Sequence, residues 1–88
     1  MAHHVPHSPE WFDALETVNP QQAEMSRQIV AASGSSDVCS VCGDRPTKDY
    51  KVVGVNLGDG TDATIRLCDD CRNIRSQMHG ESFSELGA

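Results

Sequence analysis

The residues of this chain best suited to chemistry are two close cysteine pairs, Cys39/Cys42 and Cys68/Cys71, separated by twenty-five residues. A C-x2-C turn sets two sulfurs on one side of a tight loop, where both reach the same ion. Two such turns supply four thiolates, the tetrahedral set that Zn²⁺ takes in closed structural sites. A closed site has no open position for water or substrate, so the pattern speaks of folding more than of activity. One structural Zn²⁺ on Cys39, Cys42, Cys68 and Cys71 is the expectation, with metal binding and folding a single event. Iron also accepts four thiolates, so spacing alone leaves the metal's identity open.

Other chemistry has little support. There is no Ser/His/Asp order, phosphate loop or H-E-x-x-H, and no H-x-E precedes a C-x-x-C as a deaminase requires. The chain therefore does not read as an enzyme. Redox switching through the thiols is a third-ranked reading, since no βαβ pattern of a thioredoxin-like frame surrounds either pair. Asp59, Gly60 and Asp62 lack the twelve-residue spacing of a calcium loop and read as a turn. His79 lies about two helical turns beyond Cys71, far from a site already filled by sulfur. His3, His4 and His7 read as part of a flexible terminus.

Two sets of side chains are candidates for partner binding. Trp11 and Phe12 suit docking as aromatic anchors, although covering the apolar side of a small domain is the competing use. Arg66, Arg72 and Arg75, with Lys48 and Lys51, can form a basic face toward nucleic acid or an acidic protein segment. The competing use is a solvated helix face with Asp69 and Arg72 paired at i, i+3.

Composition bounds these choices. Eighty-eight residues allow one small domain, a size that often relies on a metal or disulfides. The net charge is −6, with five acids and one base in 1–38 and eight acids and six bases in 39–88. That balance disfavours nonspecific duplex binding, which positive charge drives. No apolar run approaches membrane-spanning length, and the opening Met-Ala-His-His-Val-Pro-His has no secretory n- or h-region. A cytoplasmic chain with reduced thiols is the expectation, which favours metal over the alternative of two disulfides.

The elements that must position the sulfurs are legible. Residues 1–7 read as disordered. Ser8, Pro9 and Glu10 start a helix with Trp11, Leu15 and Val18 on one stripe and Phe12 beside it. Asn19 and Pro20 start a second, with Met25, Ile29 and Ala32 as its stripe, ended by 33–36 as a joint. The helical segment and linker span 8–36, and the four-cysteine domain 37–80. Within it, Tyr50 to Leu57 and a returning run with Ala63, Ile65 and Leu67 form a hairpin, Val53, Val55 and Leu57 sharing a face. Leu67, Cys71, Ile74 and Met78 then lie on one helical face ended by Gly80, and 81–88 reads as a frayed tail.

A cysteine turn, a hairpin and a cysteine pair at a helix start resemble a treble-clef zinc finger. Val38-Cys39-Ser40-Val41-Cys42-Gly43 and Leu67-Cys68-Asp69-Asp70-Cys71 are similar to the zinc-binding domain of the Clp unfoldase and to the DksA/TraR-type finger. The resemblance covers about residues 38–79 and implies the four cysteines as ligands, nothing else. The interval between pairs is longer here than in either family, and neither the ATPase nor the coiled-coil arm is present. The string 39–45 also resembles the start of a nuclear-receptor DNA-binding domain, whose second zinc module and basic helix are missing. Rubredoxin-type turns usually end in glycine, whereas Arg72 follows Cys71. The expected architecture is a small α+β domain, two short helices followed by a treble-clef core. The expected function is a zinc-stabilised protein-interaction module, adaptor or regulatory, with a nucleic-acid- or polymerase-associated finger as the alternative.

Overall fold

Capping chemistry sets both N-terminal helices. In the computed structural model, which describes residues 3–86, α1 runs Pro9–Glu16 and α2 Pro20–Ser33. The Ser8 hydroxyl accepts from the Trp11 N–H and the Asn19 side chain from the Gln22 N–H, each at 3.2 Å, with proline at the first helical position of both. Gly34, at φ 70°, ends α2 in the left-handed conformation that glycine adopts at little steric penalty. The remaining elements are β1 (Thr47–Asn56), β2 (Asp62–Cys68), α3 (Asp69–Met78) and β3 (Phe83–Glu85). Together they make a small α+β fold of three helices and one antiparallel sheet in the order β2-β1-β3.

The hairpin is irregular, and that irregularity decides which valines face water. Pairing is regular from Thr47↔Cys68 to Lys51↔Thr64 and resumes only at Asn56↔Asp62. Residues 52–55 of β1 thus stand against Ala63 alone, a bulge accommodated by Gly54 at φ 82°. Tyr50 and Val52 point into the core, whereas Val53 and Val55 are half-exposed. This corrects the expected Val53/Val55/Leu57 face: strict alternation fails across a bulge, and only Leu57 is buried, in the turn. Gly58 follows it, its N–H donating to the Ala14 carbonyl at 3.1 Å, and a Cβ there would meet Thr17 Oγ1 at 1.6 Å. The turn sits on the end of α1 because residue 58 has no side chain.

Trp11 is the centre of the core, 1% exposed, among Ala14, Leu15, Tyr50, Val52, Leu57, Ala63, Ile65 and Leu67. Burying a tryptophan removes roughly 150–250 Å², about 4–6 kcal/mol at 25 cal/mol per Å². In a domain this small, one such residue is a large share of what the core contributes. Its Nε1–H also donates to the Thr64 carbonyl at 2.7 Å. That bond helps close the outer edge of β2, an edge strand nevertheless buried on both faces. Ser40 closes more of it, its N–H donating to the Arg66 carbonyl at 2.7 Å and its hydroxyl accepting from the Arg66 N–H at 3.3 Å. Edge strands left bare invite pairing with other chains; here the cysteine loop and α1 occupy the place.

Both ends of the chain depart from expectation. The stretch read as disordered at 1–7 is ordered along β2 from residue 3 onward; Met1 and Ala2 lie outside the described residues. His3 bridges Asp62, the His4 carbonyl accepts from Thr64 Oγ1 at 2.7 Å, and the His4 ring meets Asp59 at 2.6 Å. His7 is buried. The stretch read as a frayed tail at 81–88 instead supplies β3, whose Phe83 packs edge-on against Tyr50, and Glu81, which pairs with Arg75. Gly87 and Ala88 lie outside the described residues. The buried stripe of α2 is Ala23 and Ser26, with Met25 and Ala32 exposed, because small residues are needed where α2 meets the cysteine loop.

Two substitutions test this core. Trp11→Phe keeps an aromatic ring but strands the Thr64 carbonyl, and should lower unfolding free energy by about 1–3 kcal/mol. Gly58→Ala should destabilise by a similar amount, about 1–3 kcal/mol, through overpacking against Thr17. Urea denaturation read by tryptophan fluorescence (far-UV circular dichroism for the Phe variant) checks both.

Candidate metal centre

Cys39 and Cys42 stand on a loop that the backbone folds around the first sulfur. The Cys39 N–H donates to the Asp44 carbonyl and the Gly43 N–H to the Cys39 carbonyl, both at 3.0 Å, while the Val41 N–H points at Cys39 Sγ at 3.4 Å. Gly43 takes φ 80°, and a Cβ on it would come 3.3 Å from Ile29 Cγ2. Glycine after the second cysteine is thus required twice, by conformation and by the close approach of α2. Ser26 Oγ and Gln22 Nε2 of α2 both donate to the Ser40 carbonyl, at 3.1 and 3.3 Å. Cys68 ends β2 and occupies the N-cap of α3, and Cys71 follows in its first turn.

These elements bring all four Sγ atoms within 4.8 Å of one another, with Cys42–Cys71 at 3.5 Å and Cys42–Cys68 at 3.6 Å. All four cysteines are free thiols. A tetrahedron with ligands about 2.3 Å from its centre has edges of about 3.8 Å, so the spacing fits four sulfurs around one ion. The donor set and its geometry therefore suit Zn²⁺, and the candidate ligands named from spacing are the ones the fold assembles. Their exposure differs: Cys39 and Cys68 are buried, Cys71 is intermediate, and Cys42 is exposed.

Electrostatics separates the thiols further. Burial works against a thiolate at Cys39, but N–H groups of Cys42, Cys68 and Val41 aimed at the sulfur outweigh it and bring the group down to about 7. Cys42 is pushed up to about 11, first by lost hydration, with the Asp44 N–H and the Cys71 sulfur opposing and the Cys68 and Cys39 sulfurs adding to the rise. Cys71 is raised by burial and then by the other three sulfurs. Metal uptake at neutral pH must therefore displace protons from at least Cys42 and Cys71.

The helix that carries Cys71 has little else to hold it. No residue of α3 is buried, Ile74 is 51% and Met78 79% exposed. The expected apolar face of Leu67, Cys71, Ile74 and Met78 is therefore corrected: Leu67 is a core residue of β2, and the last two side chains face solvent. A ten-residue helix is marginal alone in water. Apart from Cys71, α3 is tied by the Arg75–Glu81 pair at 2.9 Å and by Arg72 over the Tyr50 ring at 5.9 Å from its centroid.

The other residues singled out by sequence are not brought to this site. Trp11 is buried in the core, so its reading as a docking anchor is corrected. Phe12 is partly buried, edge-on to Trp11, stacked 6.0 Å from the His7 ring and covered by the Arg27 guanidinium. Arg66 holds Asp49 with two nitrogens at 2.6 and 3.1 Å and donates to the Ser36 carbonyl. With Arg27 on Glu16, Lys48 on Glu85, Lys51 on Asp62 and Arg75 on Glu81, five of the seven bases are in ion pairs among the described residues. The expected basic face is thus largely neutralised, with Arg45 and Arg72 outside those pairs.

One arrangement escaped sequence reasoning. His7 Nε2 lies 2.7 Å from Ser40 Oγ and Nδ1 lies 2.8 Å from the Ser36 carbonyl. The carbonyl accepts only, so Nδ1 carries the proton, Nε2 accepts from Ser40, and Ser40 accepts from the Arg66 N–H. Burial, the largest influence, holds His7 below its usual range, consistent with a neutral ring. This is the pairing of a nucleophile with its base, but Ser40 is 0% exposed and His7 7%, so it fastens the cysteine loop rather than meeting a substrate. His7 keeps a left-handed φ of 71° to make these bonds. Its partners lie about thirty positions away, and no local signal marks them.

Compared with protein-family models, with curated proteins and with solved structures, the chain has no match. Its function has to be read from the site itself.

Two measurements follow. In place of the single event of metal binding and folding expected from the sequence, removing metal with a chelator should abolish amide hydrogen-exchange protection in α3 while α1 and the β1–β2 ladder keep theirs; loss in all elements together would contradict the docking role. Zn²⁺ affinity measured by chelator competition should rise with pH, by about 100-fold per unit between pH 7 and 8 if two protons leave. A pH-independent affinity would contradict the thiol assignments.

Proposed function

We propose that this chain is a zinc-stabilised interaction module: one structural Zn²⁺ on Cys39, Cys42, Cys68 and Cys71 in a treble-clef arrangement, supporting a surface that binds a protein. The observation that carries the metal half is the closed cluster of four sulfurs within 4.8 Å of one another. Four protein ligands leave no open position for substrate, which makes the ion structural and the chain a binding protein rather than an enzyme. Free thiols suit a reducing compartment such as the cytoplasm.

The binding half is supported by the surface. Val18, Val53 and Val55 are each about half-exposed. Val18 and Val55 line a cavity of about 250 Å³ floored by Trp11, Leu15, Val52 and Leu57 and edged by Arg75 and Glu81. Apolar patches rimmed by polar groups are common at protein contacts. Nucleic acid is the poorer partner, because phosphate recognition draws on unpaired Lys and Arg, and most of those here are engaged.

The test is a cross-linking pull-down with the full chain and a Val53→Lys/Val55→Lys variant. Both should contain one zinc per chain and the same circular dichroism. The wild type should retain a protein that the variant loses, and neither should bind duplex or single-stranded nucleic acid at physiological salt. Equal retention by both, or salt-sensitive nucleic-acid binding that Arg72→Ala weakens, would overturn the protein-module reading.

A further inference from the structure

We propose that Cys42 is a site of reversible oxidation by hydroperoxides, with Cys71 as the resolving thiol and release of Zn²⁺ as the consequence. The inference rests on the metal site described above and names its regulation. Three observations carry it. Cys42 is the single exposed thiol of the four, whereas Cys39 and Cys68 are buried. An oxidant from solvent therefore meets Cys42 first. Second, two sulfurs lie close enough to capture an oxidised Cys42, Cys71 at 3.5 Å and Cys68 at 3.6 Å.

The third observation chooses between them. A disulfide needs its sulfurs about 2.05 Å apart, so one partner must move by about 1.5 Å. Cys68 is paired with Thr47 in the β1–β2 ladder and buried. Cys71 stands on α3, which buries no residue and can follow its sulfur. The bond that forms is Cys42–Cys71. It joins the cysteine loop to α3, the same two segments the ion joins, whereas a bond within either C-x2-C turn would join nothing new.

The chemistry balances. Cys42 thiolate attacks the outer oxygen of the peroxide, the O–O bond breaks, and an alkoxide (hydroxide from hydrogen peroxide) leaves. The Cys71 thiolate then attacks the sulfenic sulfur and expels hydroxide. Two thiolates lose two electrons, the peroxide gains them, and the ion, left with Cys39 and Cys68, departs. A thiol reductant reverses the bond and restores all four ligands.

The experiment uses the zinc-loaded full chain with excess hydrogen peroxide. Released zinc is read with a chromophoric chelator, the linkage by non-reducing proteolysis and mass spectrometry, and the fold by circular dichroism. The expected result is one zinc released per chain, a Cys42–Cys71 linkage, a retained sheet signal, and zinc rebinding after reduction. Zinc held through oxidation, a linkage within one turn or to Cys68, or a product no reductant reverses would overturn this inference while leaving the structural-zinc reading intact. A purified chain that binds no zinc would overturn both.

Discussion

The four-sulfur cluster is the constraint on which the arrangement depends, because it joins two segments that little else in the chain joins. The cysteine loop precedes β1 and α3 follows β2, so the sulfurs gather at one end of the hairpin. The loop has its own hydrogen bonds and the support of α2. Among the described residues, α3 has no buried side chain, one ion pair and one ring contact. A cation shared by the four sulfurs would supply what the missing apolar contacts of α3 do not.

The rest of the molecule meets this cluster through Ser40, between the first two cysteines. Its carbonyl accepts from Ser26 and Gln22 of α2, its N–H and hydroxyl close the edge of β2 at Arg66, and its hydroxyl meets His7. One residue thus couples the N-terminal segment, α2 and the sheet to the loop that carries Cys39 and Cys42. The tryptophan-centred core is continuous with the sulfurs, since Cys39 and Cys68 are buried in the same cluster and Cys71 packs against it. A domain this small buries little apolar surface, and a metal on the four sulfurs would add to what that core supplies.

Local signals made part of this legible. Ser8-Pro9 and Asn19-Pro20 begin helices because capping and proline geometry act over three residues, and both caps form as read. The cysteine cluster was legible because C-x2-C spacing fixes sulfur geometry within each turn. The misread elements share a cause in contacts between distant residues. Val53 and Val55 follow strand alternation until the bulge at Gly54 breaks it. Ile74 and Met78 keep helical spacing, yet among the described residues no element covers them. His3, His4 and His7 look like a free terminus until Asp62, Asp59 and Ser40, some thirty to sixty positions on, bind them. The neutralised arginines were hidden likewise, since Asp49 and Glu81 become partners only in the folded chain.

The most direct test of the central claim is X-ray absorption at the zinc edge on the purified chain. A structural ion shared by the loop and α3 requires a first shell of four sulfurs at about 2.3 Å and no lighter ligand. A shell containing nitrogen or oxygen, fewer than four sulfurs, or no bound zinc at all would contradict it.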